Sequence, residues 1–141
     1  MDRIVTRLQT NEVTTLLAQH DVVLAYLYGS QARGEAGALS DVDVAVLFVP
    51  ELSKQTRFWH LLNLSNELGN LLQRDDVQVV DLAEATPLLR HRVYYHGRLL
   101  YCLDDAVRVK FETATMRDYE DTRPIRRINK KYTLAYFADQ L

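Results

Sequence analysis

The sequence predicts an α/β fold, with a small mixed β-sheet, helices packed mainly on one face and a helical C-terminal extension. Three observations predict it. Compact runs rich in β-branched and aromatic residues recur at Val22–Tyr28, Val42–Val49 and Val77–Leu82, the pattern of buried strands. Between the second and third runs, Leu61, Leu64, Leu68 and Leu71 fall at steps of three and four, which makes one apolar helical stripe. After the third run, helix-starting and helix-stopping residues frame two further segments.

A first helix is expected from about Asn11 to Gln19, burying Val13, Leu16 and Leu17 and feeding the strand Val22–Tyr28. Gly29-Ser30 ends that strand in a turn, and Ser30 is placed to cap a short helix through Gln31, Ala32 and Arg33. The second strand, Val42–Val49, stops at Pro50. The leucine-striped helix spans about Ser53 to Gln73 and is broken by Asp75-Asp76 before the third strand. Thr86 caps the next helix, which opens with Pro87 and closes at Gly97. Leu99–Leu103 reads as a short strand or an extended link. A long helix starting at Asp104 or Asp105 places Val107, Phe111 and Ala114 on one face and is expected to end near Pro124; a last helical stretch carries Ile128, Tyr132 and Tyr136. No repeat or linker divides the chain, so residues 1–103 are expected to form a minimal domain and 104–141 a helical extension of it.

The chemistry concentrates between residues 29 and 43. Glycine lets the backbone approach a bulky polyanion, and a helix N-terminus capped by Ser30 offers unpaired N–H donors and a positive dipole end to phosphate. After ten intervening residues comes Asp41-Val42-Asp43. Alternation along a strand aims Asp41 and Asp43 to the same side. Two convergent carboxylates repel unless a cation sits between them, and hard oxygen ligands beside phosphate favour Mg²⁺. The arrangement is that of two-metal phosphoryl chemistry, in which a third carboxylate usually completes the site.

GSQARG followed by SDVDVAVLF resembles the minimal nucleotidyltransferases of the DNA polymerase β superfamily. DVQVVDLAEATPLLRHRVYYHGRLLY is similar to that family's third strand and following helix, and RVKFETATMRDYED resembles the extension of MntA-type antitoxins, the adenylyltransferase partners of HEPN ribonuclease toxins. The resemblance implies transfer of AMP from ATP to a tyrosine of a cognate HEPN toxin, which the adenylate silences. It implies Asp41 and Asp43 as ligands of two Mg²⁺ ions, Asp43 as the bridge between them, and Gly29 and Ser30 as the grip on the β- and γ-phosphates. The family strand usually offers a third metal ligand where this chain has Gln78. Asp81, three residues on, is the remaining candidate for the third metal ligand and for activating the attacking oxygen. A strand-end Asp that caps the next turn is the competing reading.

At 141 residues the chain suits one domain with its substrate supplied from outside. A hydrophobic fraction of 48% with 26% charged residues disfavours disorder and membrane spanning. The N-terminal residues lack a signal-peptide core and Cys102 has no cysteine to pair with, which points to the cytoplasm. A net charge of −2 argues against direct nucleic-acid binding over the whole surface. Arg123, Arg126, Arg127, Lys130 and Lys131 form a basic patch, read as a solvated helix end or a contact for an acidic partner. Arg33 is a secondary phosphate candidate. His20, His60, His91 and His96 show no metal-binding spacing and are expected at the surface or the edge of the core. Two alternatives to protein adenylylation stay open. A binding antitoxin that has lost efficient catalysis is favoured by Gln78, and a small-molecule nucleotidyltransferase is disfavoured by the short chain.

Overall fold

A computed structural model describes residues 3–29, 32 and 41–139, with side chains placed to residue 131. Among the described residues, six helices and four strands follow the order α1 (Arg3–Leu8), α2 (Asn11–Gln19), β1 (Val22–Tyr28), β2 (Val42–Phe48), α3 (Lys54–Leu72), β3 (Val77–Asp81), α4 (Pro87–His96), β4 (Arg98–Cys102), α5 (Asp105–Asp121) and α6 (Arg123–Asp139). The strands form one sheet in the order β3-β2-β1-β4. It is mixed: β1 runs antiparallel to β2 and β4, while β2 and β3 run parallel.

Four helices, α2 to α5, begin where their side-chain chemistry dictates. Thr10, Ser53, Thr86 and Asp104 accept from the N–H groups of Val13, Thr56, Leu89 and Val107, satisfying donors that the first helical turn cannot pair. The start of α4 combines the Thr86 cap with Pro87 at the first position, and Gly97 ends it. At the end of α3, Gln73 takes the left-handed conformation, with φ of 56°.

The sheet has apolar clusters on both faces. On one, Val13 and Leu17 of α2 and Leu64, Leu68 and Leu72 of α3 bury Val42, Val44 and Val46 of β2. α1 joins this layer through Ile4, Val5 and Leu8, and Arg7 donates to the Leu71 and Leu72 carbonyls at 2.8 and 3.1 Å, tying off the end of α3. On the other face, Val93 of α4 and Phe111 of α5 cover Leu24, Tyr26 and Ala45. Helices mainly on one face therefore describes α1 to α3, and α4 and α5 add a second layer.

Three segments depart in detail from the sequence reading. α1 precedes the expected first helix. Residues 98–102 pair with β1 as a full strand. Pro124 sits at the beginning of α6 and α5 ends at Asp121; proline is tolerated there because the first helical N–H groups have no intrahelical partner. The α5–α6 corner is held by a layered contact. The His91 ring stacks on Tyr119 with centroids 3.6 Å apart, and the Arg126 guanidinium lies 3.6 Å above the same tyrosine ring. Arg126 also donates to the Tyr119 carbonyl at 2.6 Å, so one member of the basic patch is a structural residue.

Candidate active site

Adjacent central strands build the site. β1 ends at Tyr28, paired with Asp43 of β2, and Asp43 is paired in turn with Gln78 of β3. Residues opposite one another in a sheet share a face, so Asp43 and Gln78 point the same way as Ala45 and Leu47, toward the α4 and α5 side. Asp43 is half-buried, and Asp41 and Gln78 are exposed.

Gly29 is required by geometry. Its φ of +76° is one that side-chain-bearing residues rarely adopt, and a Cβ there would stand 2.6 Å from the Asp43 Oδ2 atom. The carboxylate thus lies directly over the backbone of the turn that was expected to hold phosphate. Burial, then the charges of Asp41 and Asp76, push the Asp43 carboxyl above its usual range. Burial and the neighbouring Asp43 raise the Tyr28 phenol. A crowded, partly desolvated set of hard oxygen donors is what a divalent cation relieves, so Asp41 and Asp43 fit Mg²⁺. Among the described residues, no group of three or more His, Cys, Asp or Glu side chains is placed to share an ion.

Ser30, Gln31 and residues 33–40, including Arg33, lie outside the described residues. Ala32 is helical and buried, and its carbonyl accepts from Arg98 Nε at 2.8 Å, which ties Ala32 to β4.

Asp81 is not brought to Asp41 and Asp43. It pairs with Val46, three positions along β2 from Asp43, and strand alternation turns it to the opposite face. Its side chain is 4% exposed; Oδ2 accepts from Arg57 Nε at 2.7 Å and Oδ1 from the Ala83 N–H at 3.0 Å. The expectation that Asp81 completes the acid set is corrected on this geometry: both oxygens are committed to an ion pair and a turn, with no bulge to redirect them.

Sequence reasoning missed two features. Asp76, immediately before β3, acts electrostatically on Asp43 and is gripped by Arg74 through Nε at 2.7 Å and Nη2 at 2.6 Å, hydrogen bonds that hold its carboxyl below the usual range. A cleft of about 410 Å³ opens beside Gly29, lined by Tyr28, Leu89, Arg92 and His96. Leu89, Arg92 and His96 fall at three- and four-residue steps of α4, a legible helical face, but which way that face turned depended on packing.

The chain matches the family described as Polymerase beta, Nucleotidyltransferase over residues 11–106. It belongs to that family. The stretch that matches contains Gly29, Asp41, Asp43 and Gln78. Protein adenylyltransferase MntA of Shewanella oneidensis is 32% identical over 97 residues, covering 67% of this chain and 66% of that protein, just under two thirds of its length. A crystal structure of a toxin-antitoxin with AMP-PNP aligns with a TM-score of 0.73 at 27% identity, covering 88% of this chain and 97% of the matched one. A complex of a tri-AMPylated Shewanella oneidensis HEPN toxin with an MNT antitoxin aligns at 0.68 and 24% identity, covering 93% and 98%, and shares the fold.

Proposed function

We propose that this nucleotidyltransferase moves AMP from ATP to a tyrosine hydroxyl of a HEPN-domain ribonuclease and neutralises that toxin as its antitoxin. The observation that carries the proposal is the Asp43 carboxylate lying over the left-handed Gly29 turn, where metal-bound phosphates would meet a close backbone. The similarity to an adenylyltransferase and to a toxin-antitoxin holding an ATP analogue supports the acceptor class.

In this reading the cleft beside Tyr28, Arg92 and His96 seats the nucleotide, and Gly29 with Ser30 holds the β- and γ-phosphates. Asp41 and Asp43 would hold Mg²⁺, which supplies charge neutralisation for the triphosphate and polarises the α-phosphoryl group. The phenol oxygen bonds to the α-phosphorus as the bond to the bridging oxygen breaks, pyrophosphate leaves, and the phenolic proton passes to solvent water. Gln78, beside Asp43, can orient the acceptor hydroxyl by hydrogen bonding but cannot take its proton. An added adenylate brings bulk and negative charge to the ribonuclease, which repels RNA phosphates.

A second reading, neutralisation by binding with little turnover, is favoured by one observation: Gln78 stands where an acid would and Asp81 faces away. Intact-mass measurement of the ribonuclease after incubation with the chain, ATP and Mg²⁺ separates the two. Whole adenylate increments are expected, and Asp43→Asn should abolish them by at least about 100-fold. An unchanged mass with tight association would overturn transfer in favour of binding.

A further inference from the structure

The sheet order leaves β3 at an edge. Its pairing with β2 includes bonds from the Val42 N–H to the Asp76 carbonyl at 3.1 Å and from the Leu82 N–H to the Val46 carbonyl at 2.9 Å, so even-numbered residues face β2. The N–H and C=O groups of Val77 and Val79 therefore point outward, with no strand beside them among the described residues. Along this edge runs a groove of about 380 Å³, lined by Phe58 and Leu61 of α3, Val79 and Val80 of β3, and Ala85 and Leu89. Phe58 is 61% exposed.

We propose that the polypeptide carrying the acceptor tyrosine docks here in extended conformation, as a strand added to the free edge of β3. This rests on the transfer reading above and specifies how its substrate binds. Outward main-chain donors and acceptors select an extended backbone over a helix. The groove straddles the edge, with Phe58 and Leu61 on one side and Leu89 on the other, so it receives alternate side chains of a strand from both faces. The edge is also continuous with the site. A residue placed opposite Gln78 lies two strand spacings from Asp43, about 10 Å between backbones, and on the same face. A tyrosine side chain, shorter than that gap, covers part of it, and in the transfer reading the α-phosphate on the Asp43 side lies in the remainder. A second copy of the chain on this edge would instead cover Gln78 and close the approach to Asp43.

Amide hydrogen exchange of the full chain, alone and with the HEPN ribonuclease, tests the docking. Val77 and Val79 should become protected when the ribonuclease is added. Phe58→Glu and Ala85→Arg, both at the groove and away from the nucleotide cleft, should each raise KM for the ribonuclease about tenfold while KM for ATP stays unchanged. Protection confined to other elements, or an unchanged KM in both variants, overturns the proposal. Protection of Val77 and Val79 in the chain alone that grows with its concentration also overturns it, because a second copy then occupies the edge. Protection by the ribonuclease without any adenylate transferred sinks the transfer reading and leaves the edge as the docking site of an unmodified partner.

Discussion

The Asp43 carboxylate occupies space that any side chain on residue 29 would need. Gly29→Ala would combine backbone strain at a φ of +76° with a displaced carboxylate. Adenylyl transfer should fall about 100-fold, since small misplacements of reacting groups cost that much, and circular dichroism should stay native. Asp81 gives the opposite pattern. Asp81→Asn removes a charged partner from Arg57 in a spot where both side chains are largely buried, so the urea midpoint should fall by the equivalent of about 2 kcal/mol. Titration calorimetry should find Mg-ATP affinity unchanged. A loss of nucleotide binding with stability intact would restore Asp81 to the site.

At the scale of elements, α4 decides the shape of the cleft beside Gly29, proposed above to seat the nucleotide, because Leu89, Arg92 and His96 all project from it. Its first turn depends on the Thr86 hydroxyl, which accepts from the Leu89 N–H at 3.2 Å. Thr86→Ala should cost about 1 kcal/mol of stability and also weaken ATP binding, read by fluorescence of a labelled nucleotide. An equally destabilising change on the far layer should leave ATP binding alone. The Thr86, Pro87 and Gly97 signals that frame this helix were legible in the sequence because capping is local chemistry. What was not legible was α1, whose six residues are held by Arg7 bonding to carbonyls more than sixty residues away. β4 lay at the margin for the same reason: Arg98–Cys102 becomes a strand by pairing with β1, a contact no local window reveals. The site divides similarly. The meeting of Gly29 and Asp43 could be read from spacing along β1 and β2, whereas the fate of Asp81 hinged on Arg57, which arrives from α3.

For the molecule as a whole, the layer under α2 and α3 contains a buried polar device. His20 Nδ1 lies 2.8 Å from His60 Nδ1, and His20 Nε2 lies 2.8 Å from the Glu67 carboxylate. A carboxylate only accepts, so Nε2 of His20 carries a proton, and with both rings neutral the His60 Nδ1–H donates to His20. Burial, then the neighbouring His20, lowers the His60 pKa. A ring with a depressed folded pKa leaves stability whole above the unfolded value near 6.5 and removes it as pH falls toward and through the folded value. The urea midpoint should therefore drop between about pH 7.5 and about pH 5.5. His60→Gln should flatten that slope without erasing it, because burial and Arg126 lower His91 as well. A midpoint that rises on acidification would contradict the assignment.

Tyr28 borders the nucleotide cleft and neighbours Asp43, closer to the reacting phosphate than any residue of a docked protein before it arrives. Its phenol is also one that burial and an adjacent carboxylate hold in the protonated state. Losing that proton costs this phenol more than an ordinary tyrosine, so in the proposed transfer Tyr28 is the poorer acceptor beside a docked tyrosine.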